Sequence, residues 1–188
     1  MTSKILLMVC MGLGIAWLAS GCATTRTPPP VVDKKVDLQR FMGPWYVVAG
    51  QFTWIERKAW NGIESYELKP DGTIATTYTF RKGGADGPLK SYHPSAIIVD
   101  RESNAEWGMR FLWPFRATFL ILFLDEEYLY TVIGEPDRKY LWIMSRTPTI
   151  PDDIMKSIEQ RMMDIGYDPA KFTRMPQVWP EPTSRPVD

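Results

Sequence analysis

Between residues 43 and 145 turn chemistry divides the chain into about eight runs of strand-forming residues, with no helical period between any two of them. That succession limits the fold more than anything else in the sequence. Parallel strands need long crossovers, and these links are short, so the runs must pair antiparallel. The first run opens at Gly43-Pro44-Trp45-Tyr46, where a glycine and a proline bend the chain into a bulky, β-favouring sequence reaching Phe52. Residues 60–68 form the second, and Lys69-Pro70-Asp71-Gly72 makes a tight turn in which proline presets φ and glycine takes positive φ. Residues 73–81 alternate, with Ile74, Tyr78 and Phe80 on one face and Thr73, Ala75, Thr77 and Thr79 on the other. Residues 89–100 carry Tyr92, Ala96, Ile97, Ile98 and Val99 as one run. Past Glu102-Ser103-Asn104-Ala105 comes a strand with Trp107, Met109 and Phe111 facing one way and Glu106, Gly108 and Arg110 the other. Residues 116–124 are apolar on both faces, residues 128–134 follow Asp125-Glu126-Glu127, and residues 140–145 are the eighth run.

Such a meander is all-β and suits an eight-stranded antiparallel up-and-down barrel, because closure removes exposed strand edges. Eight strands leave an interior just wide enough for side chains or one small ligand. A two-sheet sandwich is the alternative that the pattern alone leaves open. Ahead of the first run, Asp37 caps a short helical turn over residues 38–42. Behind the last, residues 151–165 read as an α-helix. Ile154, Met155, Ile158, Met162 and Ile165 recur at helical spacing, Asp152 and Asp153 suit its positive end, and Gly166 ends it. The stripe should pack on the barrel's outer wall. Residues 172–179 return as a short added strand, and residues 181–188 form a tail.

The N-terminal residues have a different character. Lys4, an apolar run over residues 5–18, and Ala19-Ser20-Gly21 before Cys22 describe a signal peptide over residues 1–21, too short for a membrane span. Residues 22–35, with Pro28, Pro29 and Pro30, form an extended tether, and residues 36–180 form one domain. Cys10 falls in the signal, so no internal disulfide remains and the core alone must hold the fold. Removing the signal takes away one basic residue, Lys4, and leaves a net charge of −1. Near-neutral charge argues against a nucleic-acid partner.

Catalytic chemistry is hard to assemble from these residues. His93 is the single histidine, and no serine stands in a nucleophile-elbow pattern. Metal ligation needs clusters of His, Cys or carboxylate, and the sequence offers none; no cofactor is expected. Gly83-Gly84-Ala85-Asp86-Gly87 lacks the lysine, strand and helix of a phosphate loop. The residues therefore favour a binding protein over an enzyme. Aromatic residues make up 13% of the chain, and a barrel turns alternate residues inward, so its lining would be apolar with a few hydroxyls. By parity the liners are Tyr66, Tyr78, Trp107, Met109, Phe119, Tyr130 and Trp142, each reversible by a one-residue slip of register. The eighth run closes on Arg146, whose planar guanidinium is suited to stack over the Trp45 indole.

Gly43-Pro44-Trp45-Tyr46, a strand ending in arginine about a hundred residues later, and a following helix together resemble the lipocalin pattern. The run from Gly134 through Pro136-Asp137-Arg138 and Tyr140-Leu141-Trp142 to Arg146 and Ile150 is similar to the bacterial lipocalins, the lipoprotein branch near apolipoprotein D. The resemblance implies a calyx with one helix outside, in which Gly43, Trp45 and Arg146 are structural. Ala19-Ser20-Gly21-Cys22 resembles a lipobox, with Ala19 a departure from the larger aliphatic residue usual there. It implies acylation of Cys22, with a palmitate-type chain, the alternative being simple cleavage that leaves a free thiol, while Ala23 implies sorting to the outer membrane, on its periplasmic face. The implied task is carrying or storing fatty acids or lysophospholipids in the envelope. The alternative is a structural or interaction lipoprotein whose barrel is filled.

With Trp45 at the closed base, the links over residues 53–59, 82–88, 112–115 and 135–139 rim the open end. Two have apolar tips, Phe52, Trp54 and Ile55 in one and Leu112, Trp113, Pro114 and Phe115 in the other, flanked by Arg57, Lys58, Arg110 and Arg116. Trp54, Trp113 and Phe115 are thus the expected membrane contact or, alternatively, a homodimer contact.

Overall fold

Asp37 acts as the expected N-cap: its Oδ1 accepts from the backbone N–H of Gln39 at 2.9 Å and of Arg40 at 3.2 Å, starting α1 (Leu38–Phe41). Gly43 then takes φ +89°, which L side chains rarely adopt, and turns the chain into β1 (Gly43–Gln51). The computed structural model describes residues 27–112 and 115–179, less the side chains of residues 111, 112, 115 and 116. The signal, Cys22 and the tail over residues 181–188 lie outside the described residues.

From β1 the strands follow as β2 (Ala59–Leu68), β3 (Thr73–Lys82), β4 (Leu89–Tyr92), β5 (Ser95–Ile98), β6 (Glu106–Leu112), β7 (Phe115–Leu124), β8 (Tyr130–Gly134) and β9 (Leu141–Ser145). Sequential neighbours pair antiparallel, and β9 returns to β1 through Tyr46↔Ser145 to Gln51↔Leu141, closing the barrel. The run over residues 89–100 is two strands rather than one. Proline has no N–H to give a ladder, so the run breaks at His93-Pro94, and β4 and β5 pair successively with β3 as two halves of one stave. Eight staves result. The run expected from residue 128 begins only at Tyr130, because Asp125 Oδ1 takes the N–H groups of Leu129 and Tyr130 at 2.7 and 2.6 Å and holds Tyr128 at φ 59°.

Val47 and Val48 show how one strand serves two cores. A bulge shifts the β1–β9 register between Val47 and Ala49. Val47 joins the interior with Trp45, while Val48 and Ala49 join an outer cluster with Leu120, Val132, Leu141 and Ile143. On that outer face lies α2 (Asp152–Asp164), which buries Met155, Ile158 and Met162. Gly166 at φ +91° follows its end, as expected.

The last described segment completes the wall. β1 pairs with β2 only from Gly43 to Tyr46; beyond that the two diverge. β10 (Thr173–Arg174) pairs with Ala49 and Gly50, and the chain then bridges the gap, Met175 N–H donating to Val48 and Asn61 N–H to the Pro176 carbonyl, each at 2.9 Å. Asn61 and Val178 exchange two further hydrogen bonds, at 2.6 and 2.7 Å. Of the added strand expected over residues 172–179, only β10 forms, and the residues after it close the gap between upper β1 and β2 through individual hydrogen bonds.

Candidate ligand site inside the barrel

At the closed end the Trp45 indole donates to the Phe41 carbonyl at 2.9 Å. Arg146 lies across its face, with the guanidinium carbon 3.7 Å from the ring centre. Its nitrogens donate to the carbonyls of Arg40, Phe41 and Pro44 at 2.8, 3.0 and 2.8 Å, and to that of Tyr128 at 3.3 Å. Burial lowers the Arg146 pKa to about 10, which leaves it charged at neutral pH. Above this plug Phe41, Tyr66 and Trp107 meet with ring centres 5.3–5.5 Å apart. Gly43, Trp45 and Arg146 thus form one closed base.

Antiparallel order brings the β1–β2, β3–β4, β6–β7 and β8–β9 links to the opposite end. Gln51 donates to the Lys139 carbonyl at 2.7 Å and Gly83 N–H to that of Lys58 at 2.7 Å, tying three of these links together. Trp54 is 73% exposed there, beside exposed Arg57 and Lys58. Trp113 and the side chain of Phe115 lie outside the described residues.

Between mouth and base the interior is polar as well as aromatic. Glu56, from the first mouth link, is 6% exposed and accepts three hydrogen bonds: Trp142 Nε1 at 2.8 Å, Thr53 Oγ1 at 2.6 Å and Thr53 N–H at 3.2 Å. Glu64 lies two residues from Tyr66 on β2 and is equally buried. Burial, and then the nearby Glu56 charge, push its pKa up to about 8 despite the lowering influence of Tyr66. The hydroxyls of Tyr66, Thr76 and Tyr78 are buried and have no hydrogen-bond partner among the described residues. Tyr66 is thus near enough to Glu64 for each to shift the other's proton affinity without an aligned hydrogen bond. Burial, followed by the acidic neighbours, raises Tyr66 and Tyr78 well above the ordinary tyrosine range, so both remain neutral donors.

Outside Glu56 a cleft of about 280 Å³ opens between Phe52, Lys58, Trp60, Gly83 and the returning segment from Thr173 to Pro176. Glu56 lines this cleft and also holds Trp142, so it stands at the neck between mouth and interior.

Of the seven sequence-derived liners, Tyr66, Tyr78, Trp107, Met109, Phe119 and Trp142 fall in the interior cluster. Phe119 and Trp142 stack at 5.3 Å. Tyr130 does not join them. It lies opposite Ser145 and packs with the outer cluster around α2, because Thr131 and Ile133 take the inward positions of β8. Sequence reasoning missed Glu56, Glu64 and Thr76. Glu64 and Thr76 share parity with Tyr66 and Tyr78, a signal that was present; Glu56 sits in a charged link that gave none. His93 is exposed between Ser91 and Thr77, 3.0 and 3.4 Å from their hydroxyls. Among the described residues no three His, Cys, Asp or Glu side chains gather as a metal site.

A closed antiparallel barrel plugged at one end, with polar groups set among interior aromatics, defines a calyx for a small, largely apolar ligand. Residues 36–177 match the lipocalin-like domain, and the chain belongs to the lipocalin family, whose members are binding and transport proteins for small hydrophobic molecules. It is 31% identical over 170 residues to temperature-induced lipocalin-1 of Arabidopsis thaliana, covering 84% of this chain and 89% of that one. It is 30% identical over 169 residues, with the same coverage, to the outer membrane lipoprotein Blc of Escherichia coli K12. Among solved structures, the cockroach allergen Per a 4 superposes with a TM-score of 0.63 at 11% identity, over 82% of this chain and 96% of that one. Insecticyanin from the tobacco hornworm Manduca sexta gives 0.60 at 17%, over 82% and 88%.

Proposed function

We propose that this chain is an envelope lipid carrier, anchored to the outer membrane through acylated Cys22 and holding a single-chain lipid in its barrel. The ligand class is fatty acids or lysophospholipids. The observation that carries this reading is the interior itself: its aromatic cluster, with Phe119 and Trp142, also holds the buried, unpartnered hydroxyls of Tyr66 and Tyr78, a mixture suited to an apolar chain with one polar end. Anchoring draws support from Ala19-Ser20-Gly21-Cys22 and from the likeness to a protein named as an outer membrane lipoprotein. Such an anchor would place the mouth, with Trp54, Arg57 and Lys58, within reach of a membrane surface.

A second reading, an interaction lipoprotein with a filled barrel, is favoured by the dense base, where Phe41, Trp45, Tyr66 and Trp107 pack against one another. One titration separates the two. Delipidated protein should take up a fluorescent acyl probe at one per chain with quenching of tryptophan emission, and mass spectrometry of the membrane-extracted protein should find a single-chain lipid. Absence of uptake favours the filled barrel.

A further inference from the structure

The polar half of the interior has a sign. The fully buried charged residues of the described chain are Glu56 and Glu64, both acidic, while Arg146 is half-buried and near enough to Tyr66 to act on its hydroxyl. Arg146 is held at the base beneath Trp45 by four carbonyls. Among the described residues neither interior carboxylate has a salt-bridge partner. Around them stand Tyr66, 3% exposed, and Thr76, 2% exposed, whose hydroxyls find no partner, together with Tyr78, in the same condition, and Trp142, already committed to Glu56. Buried polar atoms without partners are uncommon, and several on neighbouring strands call for an explanation that a bound polar group would supply.

We propose that Glu56, Glu64, Tyr66, Tyr78 and Trp142 form an acidic, aromatic headgroup site that accepts single-chain lipids bearing a protonated amine and turns away those ending in an ionised carboxylate. An ammonium group brings N–H donors and a positive charge. The carboxylates and hydroxyl oxygens accept those donors, and the ring faces attract the charge. An ionised fatty-acid headgroup would instead bring a second negative charge into a poorly screened interior beside Glu56, while the cations that share its cleft, Arg57, Lys58 and Arg174, are exposed to solvent. This rests on the lipid-carrier reading and narrows it: of the single-chain lipids, those with an amine at the polar end fit and free fatty acids do not.

The test is a matched set of probes, dodecylammonium, dodecanol and dodecanoate, titrated at about pH 9, above the Glu64 pKa of about 8 so that both interior acids are ionised, into delipidated full-length protein and followed by tryptophan quenching and calorimetry. The ammonium should bind at least about tenfold more tightly than the carboxylate. In Glu64→Gln and Glu56→Gln that preference should shrink, with dodecanoate binding improved. Glu56→Gln disturbs the bonds to Thr53 and Trp142, so circular dichroism checks its fold; Glu64→Gln, which removes an unpaired buried acid, decides the matter if the other misfolds. Dodecanoate binding as tightly as the ammonium overturns the headgroup site while leaving the carrier reading intact. So does an ammonium preference that neither glutamine variant alters. If none of the three probes binds, the carrier reading fails and the site fails with it.

Discussion

Arg146 and Trp45 are locked face to face at 3.7 Å, and the same guanidinium ties α1, the start of β1 and the Tyr128 turn into one closure. Replacing Trp45 by alanine removes the largest buried side chain at the base and should destabilise the barrel by about 3–5 kcal/mol in urea unfolding. Arg146→Ala should also lower the melting temperature, because the carbonyls of Arg40, Phe41, Pro44 and Tyr128 lose a shared donor. Arg146→Lys should restore little, since a point charge cannot cover an indole and reach all four. A melting temperature unmoved by Arg146→Ala would show that the pair does not hold the base.

Glu64 makes stability depend on pH in a calculable direction. Its carboxyl is raised from 4.5 to about 8, chiefly by burial and then by the Glu56 charge, so the folded protein keeps a proton that the unfolded chain releases. Stability from this group is therefore fully present below about pH 4.5, falls as pH rises, and levels off above about 8. The whole decline is on the order of a few kcal/mol. Glu64→Gln should flatten the curve and be the more stable protein at about pH 9. Glu135, raised to about 7 by burial and by Asp137, acts in the same direction up to its own pKa, so Glu135→Gln is measured in parallel. Identical curves for parent and Glu64→Gln would mean that Glu64 is not held protonated.

The fold was legible because its signals are local and repeated. Turn chemistry at Lys69-Pro70-Asp71-Gly72, alternation over residues 73–81 and the apolar stripe from Ile154 to Ile165 each forced an element that the structure contains. Six of the seven residues chosen by parity along continuous strands fall in the interior cluster. Tyr130 was lost because its strand starts late, after a turn whose geometry depends on Asp125 catching two amides. The acidic groups were harder. Glu56 reads as a solvated residue between Ile55 and Arg57, and only the folding of its link over the neck, where Trp142 and Thr53 meet it, buries it. No local pattern reports a contact between positions 86 residues apart.

At the mouth, Trp54 is a large apolar side chain left in water next to two cations. If this rim touches lipid, Trp54→Glu should weaken binding of the unacylated domain to phosphatidylglycerol vesicles, and the loss should be smaller in high salt, where the contribution of Arg57 and Lys58 is screened. The melting temperature should stay within about half a kcal/mol of the parent in equivalent stability, since the side chain packs against little. Unchanged vesicle binding removes the membrane role, and a shift in sedimentation caused by the same substitution would assign Trp54 to a dimer contact instead.

Asn61 is the residue on which the seam between upper β1 and β2 depends. It holds φ 52°, its N–H donates to Pro176, and its side chain exchanges two hydrogen bonds with Val178. Asn61→Ala should cost about 1–3 kcal/mol, because alanine resists that φ and leaves the Val178 N–H and carbonyl without their partners. Asn61→Gly separates these causes: it accepts the backbone angle but makes neither side-chain bond. If the seam is held by the side chain, both variants should lose amide-exchange protection at Met175 and Val178 while the protection of β6 to β8 stays as in the parent. If glycine instead retains that protection, the backbone angle alone sets the seam. Because Met175 reaches into the interior cluster from this segment, loosening it should also speed release of a bound acyl probe. A release rate unchanged in Asn61→Ala, with exchange protection lost, would show that ligand leaves by the open mouth and not through the seam.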